Sequence, residues 1–287
     1  MASISIEGGG PNILRVVGYM AACDLHTFRH VVGTSSGGIL AVLLCVGWTP
    51  QELIDEVIPD LSLNHILEHD ATTMSKVRML YYVVRQLGLN RGDRLFAYLG
   101  GLIARKTGNP DTTFAEAYHL THIECLVTTV CWTTQQLEPF SNIHTPDTPL
   151  RTAARCTASL PGLFMPACVA GKVYIDGAGF CNNPAYLLRE HYNPPASSTY
   201  VFRYDRRQTQ EEEKLWASNL IAYIVRLFML MSYRIEHLTP PAYKDREIWI
   251  PSTGHTLTGL SSDLAVLVED GRRIAQRHTL RALSPGN

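Results

Sequence analysis

The chain has 287 residues, 46% of them hydrophobic and 18% charged, with a formal net charge of −1. That balance excludes the basic footprint of a nucleic-acid binder, and the length allows a sizeable core in one large domain or two small ones. Seven cysteines (23, 45, 125, 131, 156, 168 and 181) form no C-x-x-C pair and no cluster with histidine. They are expected as buried free thiols of a reducing compartment.

Residues 3–7 alternate Ile4 and Ile6 with polar side chains, the period of a strand. Gly8-Gly9-Gly10 follows, then Pro11-Asn12 and an apolar stretch over 13–23 that reads as the first helix. A strand, a glycine turn and a helix in succession suggest an anion-cradling nest. It is neither a P-loop nor a complete G-x-G-x-x-G. Residues 30–32 read as a second strand, and Gly33-Thr34-Ser35-Ser36-Gly37-Gly38 turns at once into an apolar helix. The form G-x-S-x-G is the sharp turn that presents a serine hydroxyl at a helix N-terminus, where unpaired N–H groups favour negative charge.

Thr49 with Glu52, and Thr113 with Glu116, have capping-box spacing. Apolar periodicity predicts helices over 74–87 and 94–106. Residues 124–130 read as a Val/Thr strand with 136–140 as its partner, 148–158 as a helix, and 172–175 as a strand entering Asp176-Gly177-Ala178-Gly179. Residues 199–203 read as a further core strand, and Thr209 and Glu212 are spaced to cap a helix reaching about residue 236. A short strand at 248–251 and a helix over 263–283 complete the pattern. Such alternation predicts an α/β fold with a mostly parallel central sheet, helices on both faces and a helical C-terminal section. The expectation is one domain over 1–287, its motif-bearing core about 3–203 and the helical section about 204–287.

The first residues lack a basic and long apolar leader, and the run 215–232 contains Asn219 and Arg226 and is short for a span. A protein that is cytoplasmic or peripheral at an intracellular membrane is expected, without signal peptide or transmembrane segment.

Open α/β sheets bind ligands beyond the carboxyl ends of their strands. Three such ends carry unusual chemistry here: the triple glycine, Ser35 and Asp176. A nucleophilic serine needs a base, and its developing oxyanion needs preorganised donors. Ser35 would attack, Asp176 would accept the proton, and the N–H groups of Gly9 and Gly10 would hold the oxyanion. An ordinary Asp has a pKa of about 3.9 and is a feeble base near neutrality. Its apolar neighbours Val173, Ile175 and Ala178 are expected to desolvate it and raise that value. Taken alone, Asp176-Gly177 reads better as a plain turn.

Four motifs in register resemble the patatin-like phospholipases, serine acyl hydrolases with a Ser–Asp dyad. Gly8-Gly9-Gly10 matches the family's glycine-rich oxyanion loop, and Gly33 to Gly38 its G-x-S-x-G-G turn. Residues 158–166 (Ala-Ser-Leu-Pro-Gly-Leu-Phe-Met-Pro) resemble, with one position fewer between the serine and the first proline, the A-S-x-x-P-x-x-F-x-P stretch that precedes the family's aspartate. Tyr174-Ile175-Asp176-Gly177-Ala178, followed by Asn182-Asn183-Pro184, resembles the D-G-[GA] motif. The likeness covers about residues 3–190. It implies a three-layer sandwich, Ser35 as nucleophile, Asp176 as base and an oxyanion loop at Gly8, Gly9 and Gly10. It further implies hydrolysis of a fatty acyl ester through an acyl-enzyme, on a lipid or membrane-surface substrate, with neither metal nor cofactor.

The family's G-G-G-x-[RK]-G meets Pro11, Asn12 and Ile13 in this chain. Pro11 offers no N–H, the basic residue is missing from its place with Arg15 three positions later, and Ile13 stiffens the loop. A second reading is therefore a weak or inactive relative that binds lipid or a protein partner. A third is an α/β-hydrolase triad of Ser35, Asp176 and His255, in that chain order. That fold sets several strands before its serine turn, and a single earlier one precedes it here. His26 with His30, and His119 with His122, have the spacing of metal pairs, but no carboxylate or thiol set completes a site and no metal is expected. Arg273, Arg277 and Arg281 share a face of the last helix, read as solvated, with lipid headgroups as the alternative. The apolar stripe over 214–236 reads as core packing, with an acyl pocket or a bilayer as alternatives.

Overall fold

The alternation of Ile4 and Ile6 with Ser3 and Ser5 produces a strand with no exposed face: β1 (Ala2–Ile6) is buried along its whole length. The computed structural model of the chain describes residues 1–69, 75–205, 223–224, 227–228, 239–251 and 264–283. From β1 the chain passes through the triple glycine into α1 (Ile13–Ala22), returns as β2 (Phe28–Thr34) and turns at Ser35 into α2 (Ser36–Cys45). The short α3 (Pro50–Glu52) carries the expected capping box between Thr49 and Glu52 and continues as a π-helical turn over Leu53–Val57. Then come α4 (Leu63–Ile66), α5 (Lys76–Gln86), β3 (Gly88–Asn90), α6 (Asp93–Thr107) and α7 (Phe114–Thr121), the last with the second capping box at Thr113 and Glu116.

The next strand, β4 (Glu124–Cys131), is met by the two-residue strands β5 (Gln136–Leu137) and β6 (Phe140–Ser141), so the predicted partner at 136–140 is split in two. After α8 (Leu150–Thr157) come β7 (Gly162–Phe164), β8 (Ala167–Val169) and β9 (Lys172–Asp176). The remainder is α9 (Ala178–Cys181), α10 (Ala185–Tyr192), β10 (Thr199–Asp205), β11 (Glu247–Pro251) and α11 (Leu264–Leu283).

Among the described residues the main sheet runs β11–β10–β1–β2–β4–β9–β8, parallel from β11 to β4. At β9 the direction reverses: β9 pairs antiparallel with both β4 and β8. Asp176 therefore does not follow the carboxyl end of a parallel strand, as the alternating pattern suggested. β3 and β7, which lacked any readable periodicity at three residues each, form a separate parallel pair.

The C-terminal section includes α11, which lies directly on α1. A Cβ on Gly18 would stand 2.0 Å from the Val268 carbonyl oxygen, and one on Gly271 2.0 Å from that of Arg15. Only glycine permits this approach of two helix backbones. Thr209, Glu212 and most of the predicted helix to 236 lie outside the described residues; 223–224 and 227–228 are helical. The seven cysteines are free, but Cys23 and Cys168 are exposed rather than buried. Cys23 sits past the end of α1, and Cys168 lies on the edge strand β8.

Candidate active site

β2 ends in the buried Thr34, and the next residue departs from any ordinary strand or helix geometry. Ser35 has φ 54° and ψ −126°, a left-handed conformation costly for a residue with a Cβ. It stands as the N-cap of α2, whose first-turn N–H groups point toward the same space. The turn closes against β1, since a Cβ on Gly37 would lie 2.4 Å from the Ile6 carbonyl oxygen. A second clamp comes from α8: the Ser35 N–H donates to Thr157 Oγ1 at 2.8 Å, and the Thr157 hydroxyl donates to the Thr128 carbonyl at 2.7 Å.

Strand register sets Asp176 beside this turn. Thr34 pairs with Thr128 on β4, and the next β4 residue, Thr129, pairs with Asp176 on β9. Because β9 runs against β4, it ends level with the residue that follows β2. The Asp176 side chain is fully buried. Its N–H donates to the Ser159 carbonyl at 3.1 Å, and Oδ1 accepts the Ala178 N–H at 2.8 Å. Oδ2 is buried with no hydrogen-bond partner among the described residues. Burial pushes the carboxyl up to about 7, while the Ala178 N–H and the nearby Ser35 hydroxyl act in the opposite direction. The hydroxyl exerts that influence without meeting hydrogen-bond geometry, a looseness common before substrate binds.

The segment leading to Asp176 is held from within. Arg155, buried in α8, donates to Ser159 Oγ at 2.7 Å and to the Met165 carbonyl at 2.8 Å. It spans the stretch 158–166 like a strut.

The glycine loop has its own fasteners. The Gly8 N–H donates to the Asn182 carbonyl at 3.3 Å, and the Gly9 N–H to Ser36 Oγ at 3.2 Å. Gly10, at φ 56°, keeps an N–H that no described residue accepts. Asn182 Nδ2 donates to Glu7 Oε1 at 2.8 Å and to the Gly8 carbonyl at 3.2 Å. Glu7 is almost fully buried, accepts the Tyr204 N–H at 2.9 Å and faces Arg203 at 3.8 Å. On the other side, Asn12 Nδ2 donates to the Gly9 carbonyl at 3.2 Å, Arg15 donates to Asn12 Oδ1, and Arg15 pairs with Asp270 at 3.3 Å. Arg15 thus stands buried at the α1–α11 contact and reaches the loop through Asn12.

One cavity of about 230 Å³ joins these parts. Gly8, Gly9, Gly10, Ser35, Asp176 and Asn182 line its polar end, and Ile39, Leu43, Leu53, Val57, Leu99 and Leu102 are among its apolar walls. A hydroxyl, a carboxyl poised near neutrality, unpaired backbone donors and an apolar chamber are the parts that acyl transfer to a serine requires.

Glu7 and Thr157 were not singled out in the sequence. Glu7 had a signal, a charge closing an otherwise uncharged strand; Thr157, the last residue of α8, had none. His30 is buried, bonds Ser3 Oγ at 2.8 Å, stacks on Tyr192 and has its pKa pushed down by burial to about 4. Among the described residues no group of His, Cys, Asp or Glu is arranged to hold a metal. His255 lies outside the described residues, and Arg273 pairs with Glu269 at 3.7 Å. Among the described residues no single helix is long and apolar enough to cross a membrane.

The model of the patatin-like phospholipase family matches residues 4–189. A curated protein of Acanthamoeba polyphaga mimivirus, "Uncharacterized protein R571", is 24% identical over 257 residues, covering 86% of this chain and 82% of its own. "Probable lipid hydrolase 463L" of Invertebrate iridescent virus 6 is 26% identical over 164 residues, covering 56% of this chain and 53% of its own length. The crystal structure of VipD from Legionella pneumophila superposes with a TM-score of 0.58 at 16% identity, over 96% of this chain and 66% of that one. The likeness to VipD is one of fold.

Proposed function

The chain belongs to the patatin-like phospholipase family, and on that premise we propose that it hydrolyses fatty acyl esters of lipids with Ser35 as nucleophile and Asp176 as base. The observation that carries the reading is the opening of one apolar cavity onto both a strained serine and a buried carboxyl with a raised pKa. A carboxylate with a pKa of about 7 is a far better proton acceptor near neutrality than an ordinary aspartate.

Ser35 Oγ attacks the acyl carbonyl while its proton passes to Asp176. The Gly10 N–H and the first-turn N–H groups of α2 take the negative charge on the carbonyl oxygen, each such donor contributing about 10²–10³ in rate. The ester C–O bond then breaks, and Asp176 returns the proton to the leaving alkoxide. Water repeats the sequence on the acyl-enzyme, releasing the fatty acid and restoring Ser35. The apolar chamber takes the acyl chain and excludes bulk water from the reacting atoms.

A fluorophosphonate probe with a soluble p-nitrophenyl ester tests this. An adduct mapped to Ser35, with turnover lost in both Ser35→Ala and Asp176→Asn, is the expected result. Turnover retained in folded Ser35→Ala overturns it. The second reading, a weak or inactive lipid-binding relative, is favoured by one observation: the Gly9 N–H is already given to Ser36 and Pro11 has none, so fewer loop donors face the cavity. Folded wild-type protein that takes no label and turns over no ester selects that reading.

A further inference from the structure

Helix α5 is apolar on its outer face as well as its inner one, unlike an ordinary surface helix. Its inner side packs Met79, Tyr82 and Val83 with Leu89 and Ile224. Its outer side, at the i, i+3, i+4, i+7 spacing of one helical stripe, is Val77, Leu80, Tyr81 and Val84 rather than a polar set. These four, with Leu87 just past the helix, are between 51% and 81% exposed. Scattered apolar residues on a surface need no explanation, but a contiguous stripe of five marks an interaction site.

Charge says what covers it. Residues 75–87 contain Lys76, Arg78 and Arg85 and no Asp or Glu. Arg78 and Arg85 are exposed and lie seven residues apart along one border of the stripe. An apolar stripe with cations at its edge is the pattern of a helix lying in a bilayer interface, side chains in the acyl boundary and cations on anionic headgroups. A symmetric second copy would instead bring the same cations against each other, which like-charge repulsion disfavours.

We propose that α5 is a docking surface for an anionic phospholipid bilayer. The helix runs through Leu87 directly into β3, whose partner β7 contributes Leu163 and Phe164 to the cavity wall. Docking on α5, which does not depend on whether Ser35 turns over an ester, would therefore hold the cavity against the lipid phase.

Flotation with phosphatidylserine/phosphatidylcholine vesicles, with pure phosphatidylcholine vesicles as reference, tests it. Wild-type protein is expected to float with the anionic vesicles and to bind less on neutral ones and at high salt. Leu80→Glu/Val84→Glu should lower the bound fraction at least tenfold, and Arg78→Glu/Arg85→Glu should abolish the preference for phosphatidylserine. Both variants should keep the wild-type circular dichroism and rate on a soluble short-chain ester. The proposal is overturned if wild-type protein stays out of the lipid fraction, or if the glutamate variants float equally well. It is also overturned if sedimentation shows a dimer that Leu80→Glu/Val84→Glu splits, which would make the face an interface between copies. Absence of esterase activity in every form would remove the hydrolase reading and leave the flotation result standing.

Discussion

The backbone N–H of Ser35 is held by the hydroxyl of Thr157, 2.8 Å away on a helix that follows the serine by more than a hundred residues. That bond ties the strained turn to β4, because the same hydroxyl donates to Thr128. Thr157→Val keeps the shape and removes both bonds. It should cost about 1–3 kcal/mol for the buried N–H left unpaired, read as a lower urea midpoint. Esterase turnover should fall roughly tenfold to hundredfold through misplacement of the hydroxyl, while Thr157→Ser should restore most of it.

Asp176 makes the pH dependence of turnover predictable. With its carboxyl raised to about 7, kcat/KM should decline on the acid side with an apparent pKa near that value, about tenfold per pH unit below it. A profile flat from pH 5 to 8 would remove Asp176 as the base.

The same raised value has the opposite sign for stability. Between the ordinary carboxyl pKa of about 4 and the raised value, the folded protein holds a proton that the unfolded chain has released, so stability falls as pH rises through that window. Asp176→Asn has nothing to titrate. It should be inactive, yet gain stability relative to wild type between pH 4 and pH 8, on the order of a few kcal/mol, as followed by thermal unfolding at each pH.

Gly9 leaves no room for a side chain. A Cβ there would lie 2.2 Å from the Tyr204 ring, so Gly9→Ala must displace either the loop or that ring. Turnover should drop by at least tenfold, about the loss of part of one oxyanion donor. Trimming the ring in Gly9→Ala/Tyr204→Leu should recover part of it; equal rates in Gly9→Ala and wild type would show that the loop tolerates displacement.

Arg15 couples the C-terminal helix to the glycine loop through Asn12. Arg15→Met should destabilise the protein by about 1–3 kcal/mol and lower kcat through the Gly9 carbonyl. Asp270 is partly exposed, and its pairing contributes little in solvent, so Asp270→Asn should change stability by no more than about 1 kcal/mol. Equal effects from both variants would place the role of Arg15 at α11 rather than at the loop.

Much of the scaffold was legible because it is written in short-range chemistry. The strand-to-helix turn at Ser35 and the capping boxes at Thr49 and Thr113 depend on neighbours within a few residues. So do α1 and α2, which are continuous apolar runs, and α6, which follows apolar periodicity. β3, β7 and β8 were not legible, because three residues carry no period, and Thr157 looks like any other helix position.

Local backbone preference was enough, by itself, to determine that a serine would be presented on a sharp turn behind a strand and that an aspartate would close another. Tertiary structure alone decided that β9 runs against β4, which sets Asp176 level with Ser35, and how completely the expected burial encloses its carboxyl. It also decided that Glu7 and Asn182 fasten the glycine loop. Each of these arises from contacts between residues far apart in the chain, where register and solvent exclusion, rather than neighbouring φ and ψ, set the energy.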